Sequence, residues 1–153
     1  MKQTIIAGVI IVLVGVLGYM WMKKDTTPVV QTTSVIGCYV ARTNGNKDVY
    51  TLNVKTQQGE NISGALAFKN FEKDSSSGTF SGTYKDDILL ADYTFQSEGM
   101  TSVMQVIFKK SGDDFVRGYG DVSGNGTRFT DLTKITYDVS SPLSVFKKEA
   151  CGV

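Results

Sequence analysis

From Cys38 onward, apolar and polar side chains alternate with a period of two in short runs separated by clusters of Gly, Asn, Asp and Ser. No run carries sustained helical spacing. The pattern predicts strands near Cys38–Arg42, Val49–Gln57, Asn61–Lys69, Gly78–Lys85, Ile88–Ser97, Ser102–Lys110 and Phe115–Asp121, a strand from Arg128 onward, and a closing segment at Leu143–Lys147. One face of these runs collects the large apolar groups: Tyr50, Leu52 and Val54; Ile62, Leu66 and Phe68; Phe80 and Tyr84; Leu89, Ala91, Tyr93 and Phe95; Met104, Val106 and Phe108. About eight one-sided strands in about 115 residues suit an all-β fold, a small antiparallel meander barrel or a barrel-like sandwich. Large side chains on most inward positions favour a filled interior. The alternative is an interior that holds a small apolar ligand, oriented by a hydroxyl of Tyr50, Tyr84 or Tyr93.

The connections differ in length. Gln58-Gly59-Glu60, Lys85-Asp86-Asp87 and Ser111-Gly112-Asp113 are hairpin-sized, whereas Thr43–Asp48, Asn70–Ser77, Glu98–Thr101 and Val122–Thr127 are mostly longer. In a meander the two kinds fall at opposite ends. The longer set would then bring Glu72, Lys73, Asp74, Ser97, Glu98, Ser102, Asp121 and Asn125 to one rim, the candidate binding end. A single crossover strand would scatter them.

The N-terminal part is chemically different. Thr4–Met22 is a stretch without a charge, long enough as a helix, at about 28 Å, to span the hydrocarbon of a bilayer. Tyr19 and Trp21 stand at its end, followed by Lys23 and Lys24 as a stop. An uncleaved signal anchor and a removable signal peptide are the two readings. The length of the run and the poor small-x-small site at Val16-Leu17-Gly18 favour the anchor. Either way the chain is exported. The expected division is an anchor helix over 1–24, a Thr-rich tether over 25–36 and a β domain over 37–153.

Charge and cysteines sharpen this division. Residues 1–24 carry Lys2, Lys23 and Lys24 and no acid, while the remaining 13 basic and 15 acidic side chains leave the β region mildly acidic. A net charge of +1 with no basic run longer than two residues argues against nucleic acid. The absence of histidine excludes His-dependent triads, the usual zinc sets and imidazole switching. Cys38 opens the β region and Cys151 closes it, and in an exported chain they are most simply one disulfide, which requires an oxidising compartment and so puts the domain outside. Val35-Ile36-Gly37-Cys38 superficially resembles a lipobox, but the polar-leaning stretch after Met22 separates it from the apolar run.

Three motifs carry weak chemistry. Asp121-Val-Ser-Gly-Asn-Gly spaces oxygen side chains at Asp121, Ser123 and Asn125 like a calcium loop, but the Glu expected at its twelfth position is Leu132. Glu72 and Asp74 with Glu98 are carboxylates that a glycosidase-like hydrolase would need in pairs, though exposed acids on β loops are usually only solvated. Asn61-Ile-Ser63 and Asn125-Gly-Thr127 are glycosylation sequons, relevant only in a eukaryotic secretory pathway. No cofactor is expected.

The stretch FKNFEKDSSSGTFSGTYKDDILLADYTFQSEGMTSVMQVIFKK (Phe68–Lys110), with GCY at Gly37–Tyr39 and RGYGDV at Arg117–Val122, resembles an uncharacterised family of small exported bacterial proteins, many of them lipoproteins. The shared pattern falls on Glu72, Lys73, Asp74, Gly78, Gly82, Ala91, Asp92, Tyr93, Phe95, Ser97, Glu98, Gly99, Ser102, Gly118, Tyr119 and Gly120. The resemblance implies a cell-envelope location and a compact β fold, and it supplies no activity. This chain departs from the lipoprotein members in its anchor and in lacking a convincing lipobox.

Together these readings lead to the expectation of a lipocalin-like barrel, by analogy of shape, on a single-pass anchor. It would serve as an envelope binding module rather than an enzyme. Its partners would be the membrane and an envelope protein or small ligand, with Glu72, Lys73, Asp74, Ser97, Glu98, Ser102 and Tyr93 as contact candidates.

Overall fold

The computed structural model describes residues 33–152 except Asn44 and Glu98. The expected anchor helix and most of the tether lie outside the described residues. Among those described, no helix is long and apolar enough to cross a membrane. Nine strands form among the described residues: β1 (Gly37–Arg42), β2 (Val49–Gln58), β3 (Asn61–Lys69), β4 (Ser76–Lys85), β5 (Ile88–Ser97), β6 (Met100–Ser111), β7 (Asp114–Tyr119), β8 (Thr136–Tyr137) and β9 (Val145–Glu149).

Strands β1 to β7 pair with their sequence neighbours, all antiparallel. The sheet then closes because β9 lies between β7 and β1, matching Phe115 with Phe146 and Cys38 with Glu149. Eight strands make the closed antiparallel barrel. The short β8 pairs only with Gly118 and Tyr119 of β7. The meander expected from alternation is therefore present up to β7.

Period-two alternation delivers every second side chain to the interior. Tyr39, Leu52, Leu66, Leu89, Tyr93, Phe108, Phe115 and Phe146 are almost wholly buried there. Their rings pack edge to face: Phe115 meets Tyr39 at 4.9 Å, Tyr84 at 6.2 Å and Phe108 at 6.5 Å, and Phe108 meets Phe146 at 5.2 Å. Such pairs add about 0.5–1.5 kcal/mol each beyond area burial. Packing this dense needs room at the wall. A Cβ on Gly64 would sit 1.9 Å from the Asn53 carbonyl oxygen and 2.8 Å from the Phe80 ring, so only glycine lets β2, β3 and Phe80 approach.

Two expectations change. Val35, in the span read as tether, is fully buried, donates its N–H to Gln57 Oε1 at 2.8 Å, and accepts a bond from the Tyr39 hydroxyl at 2.9 Å. The folded unit thus begins before the first strand. The strand expected from Arg128 onward does not form. Residues 121–130 instead turn back on themselves through a Val122–Phe129 bridge, and a 3-10 turn at Leu132–Lys134 follows. Side chains outcompete the ladder here: Asp131 accepts from the Thr133 N–H at 2.9 Å and Asp138 from the Ser140 N–H at 2.8 Å.

Cys38 and Cys151 form a disulfide with their Cα atoms 5.1 Å apart. It ties the start of β1 to the tail after β9, across a separation of 113 residues. Asp114 reinforces the neighbouring β7–β9 seam, accepting from Lys147 Nζ at 2.7 Å and from the Lys148 N–H at 3.0 Å. Burial alone raises the pKa of the Asp114 carboxyl. The bonds from Lys147 and Lys148 and the nearby lysine charges outweigh that, holding it below the usual carboxylate value.

Reducing the disulfide, or replacing both cysteines by Ser, is expected to lower unfolding stability by up to about 4–5 kcal/mol in the chain-entropy limit. Urea unfolding with and without reductant checks this, and coincident curves would remove the bridge as a stabilising element. For Asp114, a folded pKa depressed below the unfolded one means stability that is present above about pH 4 and lost as pH falls through the folded value. Asp114→Asn is expected to cost about 1 kcal/mol at pH 7, with its curve converging on wild type below about pH 3. A cost of equal size at both pH values would contradict this assignment.

Candidate functional site

Up-and-down order separates the two ends of the barrel. The three hairpin turns β2–β3, β4–β5 and β6–β7, the disulfide and the incoming chain at Thr33–Ile36 share one end. The connections at 43–48, 70–75 and 98–99 and the long excursion at 120–144 share the other. Val35 and Gln57 close the first end from within. The long-loop end is where the inner face becomes partly accessible, through Tyr50, Phe95, Met104 and Arg117.

Arg117 is the unusual member of that face. On β7 the inward positions read Phe115, Arg117, Tyr119, and the arginine reaches across the barrel to place its guanidinium 4.2 Å from the centre of the Phe68 ring on β3. The Tyr119 ring lies 5.2 Å away. Burial pulls the guanidinium pKa below its ordinary value, and the hydroxyls of Tyr119, Tyr50 and Tyr93 support the charge in part. It stays cationic at neutral pH all the same. The same burial raises the Tyr50 and Tyr93 hydroxyls, with Arg117 acting against it on both.

The other two arginines are satisfied on the outside. Arg42 makes a two-pronged ion pair with Glu149, and Arg128 pairs with Asp92 at 2.9 Å. Among the described residues no carboxylate pairs with Arg117. Arg42 and Glu149 also help line a groove of about 390 Å³ on the outer face, with Val40, Val139, Pro142 and Val145.

The residues expected at the rim fall into four groups. Glu72, Lys73 and Asp74 are exposed on the β3–β4 connection, where Glu72 adopts a left-handed φ of 53°. Asn70 shapes that loop: its Nδ2 donates to the Asp74 carbonyl at 2.6 Å while its Oδ1 accepts from the Tyr50 hydroxyl at 2.7 Å. The Phe71 N–H donates to Asp48 at 2.8 Å and joins this loop to the β1–β2 connection. Ser102 pairs with Phe95 across β5 and β6 and is exposed, whereas Tyr93 is fully buried with its hydroxyl 3.2 Å from Ser76 Oγ. Glu98 and the Ser97 side chain lie outside what the structure describes.

Asp121, Ser123 and Asn125 sit on the excursion after β7. The Asn125 Oδ1 there accepts from Ser123 Oγ at 2.6 Å and Thr127 Oγ1 at 2.8 Å, so it serves its own turn. Among the described residues no three His, Cys, Asp or Glu side chains gather as a metal site.

Arg117 itself was not among the residues expected from the sequence. The signal was present, since an arginine between Phe115 and Tyr119 occupies an inward slot of a one-sided strand. What the end of the barrel offers chemically is a held cation, tyrosine hydroxyls and ring faces. No family model matches the chain, and neither curated proteins nor solved structures give a match.

A mostly buried cation with no carboxylate partner among the described residues adds little to folding. Arg117→Leu is therefore expected to leave unfolding stability within about 1 kcal/mol of wild type, on either side. Urea midpoints measure it, and a loss above about 3 kcal/mol would make Arg117 a structural residue instead.

Proposed function

We propose that this protein is a membrane-tethered binding module of the cell envelope that takes its partner at the long-loop end of the barrel. The observation that carries the reading is the division of the barrel. Turns, disulfide and incoming chain occupy one end, and every longer connection occupies the other. Binding residues are disproportionately found on loops held by a rigid scaffold. The uncharged run at 4–22 supports the tether, and the disulfide supports an oxidising, outward-facing compartment. The resemblance to exported bacterial β domains points to the same envelope location and draws attention to Glu72, Lys73 and Asp74. With a cation, hydroxyls and loop acids at this end, binding is favoured over catalysis.

The test is site-specific photo-crosslinking of the full-length chain in envelope membranes. A crosslinker at Lys73 is expected to capture a partner reproducibly, and one at Gln58, on a short turn, is not. Capture only from Gln58 would put the binding surface at the wrong end.

A further inference from the structure

We propose that the long-loop mouth of the barrel binds the carboxylate of a small aromatic or aliphatic acid, with Arg117 as the receiving group. This rests on reading that end as the binding end, and names the ligand chemistry it takes.

Three features converge on this chemistry. First, the guanidinium lies 4.2 Å from the centre of the Phe68 ring, with no carboxylate against it among the described residues. A guanidinium held over a ring face by its charge leaves N–H donors for another partner. Second, those donors are not consumed. Five N–H donors exceed what one neighbouring tyrosine hydroxyl accepts, and among the described residues no carboxylate takes up the remainder. A planar fork with two parallel N–H groups matches a carboxylate in bidentate fashion.

Third, the surroundings select among anions. The hydroxyls that act most on the Arg117 charge are those of Tyr119, Tyr50 and Tyr93. On the inner face one cation balances a monoanion, whereas a phosphate dianion would draw on the exposed rim lysines, Lys47 and Lys73, which stand on the loops outside it. Phe95 and Met104 lie partly buried on the same inner face and offer apolar surface to the body of the acid. The rings packed below leave the ligand at the mouth, so a short acid is the fit rather than a long-chain one threaded through the barrel.

The experiment titrates full-length protein in neutral-detergent micelles with benzoate, phenylacetate and octanoate, with phenylacetamide and inorganic phosphate as comparators. The arginine Nε–Hε NMR signals follow the site, and calorimetry gives Kd. Saturable shifts of the Arg117 signal with at least one carboxylate, and none with the amide, are expected. Arg117→Leu is expected to weaken binding by at least about tenfold and Arg117→Lys by about threefold, since the ammonium keeps charge but loses the fork. Tyr50→Phe, which keeps the ring, provides a second variant and is expected to weaken binding about twofold.

No saturable shift with any of the three acids overturns the proposal, as does tighter binding of phosphate than of every carboxylate. A Glu98→Gln variant that moves the Arg117 signal without added ligand also overturns it, because the chain's own carboxylate would then be the occupant. If carboxylates fail while crosslinking from Lys73 still captures a partner, this inference falls and the binding end stands. Loss of both removes the reading beneath it as well.

Discussion

Seven antiparallel strands have two open edges, and this sheet buries its aromatic face only because β9 pairs with β1 on one side and β7 on the other. Without that strand, Phe108 and Phe115 lose Phe146, and two rows of backbone donors and acceptors stand open to other chains. Several unlike interactions reinforce the same seam. The disulfide sits just beyond β9, Glu149 pairs with Arg42 of β1, and Lys147 and the Lys148 N–H hold Asp114 of β7. The ion pairs are exposed and individually modest. What the seam gains most from is loop closure, which restricts the unfolded chain over nearly the whole domain.

The closed barrel has two unequal ends. At one, Val35, Tyr39 and Gln57 pair their polar groups internally and the turns are tight. At the other, the wall rises into longer connections and the interior ends on a cation. An arginine on an inward slot is costly unless its charge is supported, and here it lies over the Phe68 ring and is flanked by tyrosines. Local consistency holds throughout the rest of the inner face, from Tyr39 to Phe146. A charged side chain on that face, partly open to solvent, is the kind of position where folding and function compete.

Sequence reasoning and structure part company along a clear line. Alternation located β1 to β7 within a few residues because inward and outward positions are a property of each strand alone. It went astray after Gly120, where Asp131 and Asp138 bond to their own backbone and break the ladder without changing the apolar count. Glu72, Lys73 and Asp74 were legible as loop residues, since a polar cluster between two one-sided strands marks a connection. Arg117 was overlooked because its strand position is local information, but its want of a carboxylate partner among the described residues is not.

The amino-acid pattern by itself determined an all-β domain, one apolar face per strand, a split between short and long connections, and a cysteine at each end of the domain. These follow from side-chain periodicity and turn chemistry, which act over a few residues. Only the tertiary structure decided that β9 closes the ring, that Val35 belongs to the core, and that Arg117 lies over Phe68. Each of those joins groups tens of residues apart, and the free energy that selects them exists only once the barrel wall has brought both partners to the same place.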